Sequence, residues 1–127
     1  MIQEGIVKRP TPREIDNRLK DAKDAIKNRC TIFANPSKVV GELMSLEIGE
    51  TDEIWELILQ FLNEIHPDDY AGTHPPQKSY EHSISNCDLW AFSWYSSLLK
   101  KKMYLKFSIK EGMFYYVSLH KCKYSKE

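Results

Sequence analysis

From Lys102 to Lys110 the sequence alternates without a break, with Met103, Leu105, Phe107 and Ile109 on one side and Lys102, Tyr104, Lys106, Ser108 and Lys110 on the other. A period of two belongs to a strand with one buried face and one wet face. Glu111-Gly112 supplies a turn, and a second strand is expected from Met113 to about Lys121. A three-residue loop, Lys110 to Gly112, with Gly112 at positive φ, pairs Ile109 with Met113 and puts Met113, Tyr115, Val117 and Leu119 on the apolar side. Asp88 to Ser96, rich in aromatics, reads as a further strand ahead of this hairpin.

Upstream the period changes to that of helices. Thr11-Pro12-Arg13-Glu14 carries a helix start, with Thr11 as N-cap, Pro12 in the first helical position and Glu14 closing a capping box. Ile15, Leu19, Ala22 and Ile26 then mark the apolar face of a helix that runs to about Asn28. Cys30 to Ala34 reads as a small edge strand. Val39, Val40, Leu43, Met44 and Leu46 give a second helix from Pro36, and a third follows a Thr51 cap with a broad apolar face from Ile54 to Ile65. The segment 66–77, HPDDYAGTHPPQ, is dense in Pro, Asp, Gly and His and reads as a long loop. The expected fold is therefore α+β, helices first and an antiparallel sheet last. It divides into an arm over 1–10, a mainly helical part over 11–65, the loop 66–77 and a mainly sheet part over 78–127.

At 127 residues, 42% hydrophobic and 28% charged, the chain fits one globular domain able to bury a core without staples. Cys30, Cys87 and Cys122 are odd in number and far apart, which points to reduced, half-buried thiols rather than a disulfide framework or a zinc knuckle. No apolar run is long enough to span a bilayer and the first ten residues lack a signal-peptide core, so the expectation is a cytoplasmic protein with no membrane partner. Net charge is zero, but from Ser97 onward eight lysines face only Glu111 and Glu127, so that stretch carries +6 and the other 96 residues carry −6. A basic hairpin beside an acidic body suits an anionic partner.

The expected register places Tyr104 across from Ser118, Lys106 across from Tyr116 and Lys102 across from His120, with Tyr104, Lys106 and His120 on one exposed face. A phenol, an ammonium and an imidazole on a rigid sheet supply what metal-independent RNA cleavage needs. A proton must leave the 2′-hydroxyl, another must reach the 5′-oxygen, and a cation must sit beside the phosphate. Tyr116, read as exposed, is a candidate for stacking an unpaired base. Of Trp90, Phe92 and Trp94, at least two are expected to be core. No P-loop, dinucleotide-binding fingerprint or HExxH occurs.

Several of these residues resemble a known family. Trp90 is followed by Tyr104-Leu105-Lys106, then by Val117-Ser118-Leu119-His120, with Lys78-Ser79 about a dozen residues ahead of Trp90. In order and spacing this is similar to the MqsR family, toxins of bacterial type II toxin-antitoxin systems with a RelE-like fold, and the likeness covers roughly residues 14 to 122. It implies a ribosome-independent mRNA endoribonuclease with no cofactor, in which Lys78, Tyr104 and His120 match positions used for cleavage, and it implies a cognate antitoxin as protein partner. Three departures stand out: Ala91 occupies the place of a functional glutamine, His120 that of a lysine, and the HPDDYAGTHPP loop looks like an insertion.

The exposed face and the resemblance together assign catalysis to Tyr104 and His120, with Lys78 added by the resemblance alone, and RNA or phosphate binding to Lys102, Lys106, Tyr116 and Lys121, with no metal. Two other readings stay open. His66, His74 and His82, with Asp68 and Asp69, are metal-binding residue types, though eight-residue spacing in a Pro-rich loop fixes no geometry. Alternatively the basic hairpin holds nucleic acid or an acidic protein without cutting anything.

Overall fold

The computed structural model describes residues 8–49 and 51–122, with the side chain of Thr51 excepted. Most of the expected N-terminal arm, the Thr51 cap and the last five residues lie outside the described part. Three helices, α1 (Pro12–Lys27), α2 (Pro36–Ser45) and α3 (Thr51–Glu64), precede three long strands, β2 (Trp90–Ser96), β3 (Lys101–Lys110) and β4 (Met113–Lys121). A short strand, β1 (Thr31–Phe33), lies between α1 and α2. The fold is α+β, and no described helix is long and apolar enough to cross a membrane.

Local sequence explains the helix ends. The Thr11 hydroxyl accepts from the Glu14 N–H, satisfying one of the free donors of the first turn of α1. The reciprocal half of the expected capping box does not form, because the Glu14 carboxylate binds Arg9 instead. Arg29 and Glu47, both at left-handed φ, turn the chain out of α1 and α2. Ile15, Leu19, Ala22 and Ile26 of α1 are buried, as are Ile54, Ile58, Phe61 and Leu62 of α3. In α2, Val39 and Leu43 are buried while Val40 and Met44 are exposed.

The sheet runs β1-β4-β3-β2. It is mixed rather than purely antiparallel, because β1 pairs parallel to β4, Thr31 with Phe114 and Phe33 with Tyr116. One face carries the helices. Trp90, Phe92 and Trp94 are all buried there, and Phe92, Phe107 and Phe114 stack across three strands at centroid distances of 5.8 and 5.0 Å. Half of the opposite face is roofed by the segment between the loop and β2: Ser108 Oγ donates to the Asp88 carbonyl at 2.8 Å and Lys110 Nζ to the Ser83 carbonyl at 3.1 Å. The loop 66–77 also closes an edge, since Tyr70 bridges to Phe92 and the Ala71 N–H donates to the Ala91 carbonyl at 2.8 Å.

The hairpin register differs from the expected one. The turn has two residues, Glu111 at φ 52 and Gly112 at φ 78, so Lys110 pairs with Met113. Positive φ at both positions is the type I′ turn that matches strand twist. Phe114 and Tyr116 therefore face the core, and Tyr115 does not. Strict alternation from there would turn Leu119 outward. A bulge prevents it: between the Phe107–Tyr116 and Lys106–Ser118 pairs, Val117 is the extra residue of β4. Beyond it Leu119 returns to the core and His120 to the open face.

Candidate functional site

The open part of the second sheet face is built on two rows of paired residues. Ser93, Tyr104 and His120 form one row across β2, β3 and β4, and Ala91, Lys106 and Ser118 form the next. The expected β4 partners of Tyr104, Lys106 and Lys102 are thus replaced: Tyr104 faces His120 directly, Lys106 faces Ser118, and the Lys102 carbonyl accepts from the Cys122 N–H at 3.0 Å. The bulge brings the phenol and the imidazole together: their rings stack at 5.0 Å with an interplanar angle of 21°.

The hydrogen bond of His120 gives its ring a direction. Nδ1 lies 2.8 Å from the Lys121 carbonyl, which can only accept, so Nδ1 carries the proton. In the neutral ring the lone pair is then on Nε2. Burial pushes the Tyr104 phenol above its usual range, with the nearby Cys122 thiol adding to the effect, so Tyr104 holds its proton through neutral pH. The Lys106 ammonium is shifted down, first by burial and then by repulsion from Lys38.

Lys38 comes from α2, whose next turn anchors the site. The Glu42 carboxylate accepts from the Tyr116 hydroxyl, from Ser118 Oγ at 2.7 Å and from the Leu119 N–H at 3.2 Å. The short β1 leaves β4 unpaired beyond Tyr116, and Glu42 stands in for the missing strand edge. Lys38, Lys78 and Lys106 line a cleft of about 330 Å³ with Val117 and Leu89 in its wall and Tyr80 and Glu81 around it.

Lys78 does not offer a free charge. Its ammonium donates to Asp88 at 2.6 Å, and Asp88 also accepts from Arg9 at 2.9 Å. Burial alone would raise the Asp88 carboxyl, but the hydrogen bonds from Lys78 and Arg9 overcome it and hold Asp88 below its usual range. Lys102 and Lys121 are exposed, Lys121 on the opposite phase of β4 from His120.

Tyr116 is a correction. It is 0% exposed, so it cannot stack a base. Its hydroxyl is held by Glu42, and burial together with that bond pushes its pKa far up. The cause of the error is the two-residue turn.

The three histidines of the metal reading do not converge; among the described residues no three His, Cys, Asp or Glu side chains are placed to share an ion. His74 instead packs edge-on against Tyr70 at 5.3 Å, and the backbone of His66 is tied by its N–H to Asp69 at 2.9 Å. All three cysteines are free and half-buried. A larger cavity, about 650 Å³, lies on the helical side, where Lys27 and Arg29 meet Asp52 and Glu56 around Trp55. Its mixed charges balance, and it contains none of the proton-transfer groups of the sheet face, so volume does not place chemistry there.

Sequence reasoning missed Lys38, Glu42, Asp88 and Arg9. Lys38 and Glu42 sit on a helix whose apolar spacing is their one visible signal, and Asp88 and Arg9 meet across 79 positions of sequence. No protein-family model matches the chain, and no curated protein or solved structure is similar to it at a significant level.

Proposed function

We propose that this chain is a metal-independent mRNA endoribonuclease, acting in the cytoplasm as the toxin of a type II toxin-antitoxin system, with a RelE-like fold and a cognate antitoxin as partner. The observation that carries the chemical part is the stacked Tyr104–His120 pair one row from Lys106 on an open sheet face. The sequence resemblance to MqsR-like toxins supplies the biological part.

His120 Nε2 takes the proton of an RNA 2′-hydroxyl, and the 2′-oxygen attacks the adjacent phosphorus. Lys106 faces the charge that develops on the phosphate. Tyr104, protonated at neutral pH, gives its proton to the departing 5′-oxygen. The P–O5′ bond breaks, leaving a 2′,3′-cyclic phosphate and a 5′-hydroxyl; solvent then returns a proton to the phenolate and removes one from the imidazolium. Lys78 stays close but positions through Asp88.

Purified protein incubated with long single-stranded RNA should cut it equally with and without EDTA, and the mapped fragments should carry 5′-hydroxyl ends. Tyr104→Phe and His120→Ala should keep the fold, and each should lower the rate by roughly 10²-fold or more, as for a lost general acid or base. Normal cutting by both variants would remove the sheet face from the chemistry.

A second reading has its own support: the charge of Lys78 is already matched by Asp88, and Ala91 puts a methyl group beside Lys106. On that reading the face binds RNA without cutting it, and the same incubation returns intact RNA with salt-sensitive binding.

A further inference from the structure

The geometry points to a second phosphate-binding position, the cleft between the N-terminal turns of α2 and the segment 77–81, in which Lys38 holds an RNA phosphodiester next to the reacting one, Lys106 stands between the two phosphates and contacts both, and Tyr80 stacks the attached base. The inference rests on the proposed RNA-binding face and extends it to residues that no sequence motif marks.

Lys38 and Lys106 line the same cleft, and the charge of Lys38 adds to burial in holding the Lys106 ammonium below its usual range. Like charges brought together in a half-buried cleft are destabilising unless an anion lies between them. Neither lysine has a carboxylate partner among the described residues, whereas Lys78, in the same cleft, has Asp88. Glu81 is the acid at the rim; its N–H donates to Ser79 Oγ, its carbonyl accepts from the Ile84 N–H, and its carboxylate reaches neither lysine within ion-pair distance. Val117 and Leu89 contribute apolar surface to the same cleft, which lowers the local dielectric and strengthens attraction for a phosphate.

The position suits a polynucleotide. Lys106 is two residues from Tyr104 on the same face of β3, ~7 Å along the strand, a span comparable with one nucleotide step. Tyr80, 94% exposed at the cleft, is a large aromatic with nothing packed over its ring. Stacking is the sequence-tolerant way in which such a ring holds an unpaired base.

The test uses the full chain and a short single-stranded oligoribonucleotide, 2′-O-methylated throughout so that it cannot be cut, with affinity measured by fluorescence anisotropy over a range of salt. Lys38→Gln should weaken binding about tenfold, as for one charged contact, and flatten the plot of log affinity against log salt by about 0.7, as for one lost phosphate contact on a single strand. Lys106→Gln should do the same, and Tyr80→Ala should weaken binding about tenfold with an unchanged salt slope. Lys20→Gln, on the exposed side of α1, serves as control. Native affinity and slope in Lys38→Gln would overturn the inference, as would failure of the native protein to bind. Because the probe cannot react, normal binding with no cleavage of ordinary RNA would sink the nuclease and leave this subsite standing.

Discussion

Glu42 decides whether β4 keeps the register that puts His120 beside Tyr104. Its carboxylate receives three hydrogen bonds, from Tyr116 Oη, Ser118 Oγ and the Leu119 N–H. Glu42→Ala strips the acceptor from all three, and all three belong to residues no more than 3% exposed. A buried donor left without a partner costs ~1–3 kcal/mol. Water can enter beside the half-buried helix edge and recover part of this, so a total of about 3 kcal/mol is expected. For a domain of this size that is a fall in Tm of roughly 10 °C. Glu42→Gln keeps the shape and one acceptor oxygen, and should cost about 1 kcal/mol. Urea unfolding followed by far-UV circular dichroism measures both. A double-mutant cycle with Tyr116→Phe should give a coupling of about 1 kcal/mol or more, since the two groups are direct partners. If Glu42→Ala stays within about 0.5 kcal/mol of the native protein, the range of ordinary surface substitutions, the carboxylate is not holding the strand and the account of the bulge fails.

Two further outcomes can be stated. Asp88 is held below its ordinary value of 3.8, so its ion pairs stabilise the fold above that value and the contribution is lost as pH falls through the lower folded one. Stability measured by urea titration should therefore drop on acidification below about pH 4, and Asp88→Asn should be less stable at neutral pH by about 1 kcal/mol while losing part of that slope, the modest size reflecting the exposure of Lys78 and Arg9. Glu64 accepts from Trp94 Nε1 at 2.8 Å and from the Leu98 N–H at 3.0 Å, tying the end of α3 to the turn after β2. Glu64→Ala should cost about 2 kcal/mol by chemical denaturation and change the native fluorescence spectrum, because the indole N–H of Trp94 loses its partner.

What the sequence discloses about this fold depends on where its periodicity is unambiguous. In β3 apolar and polar positions alternate strictly; of the inward set Met103, Leu105 and Phe107 are fully buried and Ile109 half-buried, while Ser108 of the outward set is buried under the roofing segment. The start of β4 is Met-Phe-Tyr-Tyr-Val, apolar or aromatic at every position, so both phases satisfy the pattern and the turn decides between them. A two-residue turn selects Phe114 and Tyr116 for the core, and the sequence can then reach Leu119 in phase only by spending one residue, Val117, on a bulge. A bulge leaves no periodic mark where both neighbouring phases are apolar, which is why Tyr116 reads as a surface ring. The Tyr104–His120 face survives the error because the turn and the bulge shift the strand in compensating ways. Lys38 and Glu42 belong to a different level. They meet the sheet only because β1 pairs parallel to β4 and carries the start of α2 to its edge, a consequence of topology that no local pattern in α2 contains. The pairing of β1 thereby links fold to chemistry: it ends at Tyr116, leaves the next part of β4 open to Glu42, and lets one helix supply both the anchor of the bulge and a second cation beside Lys106.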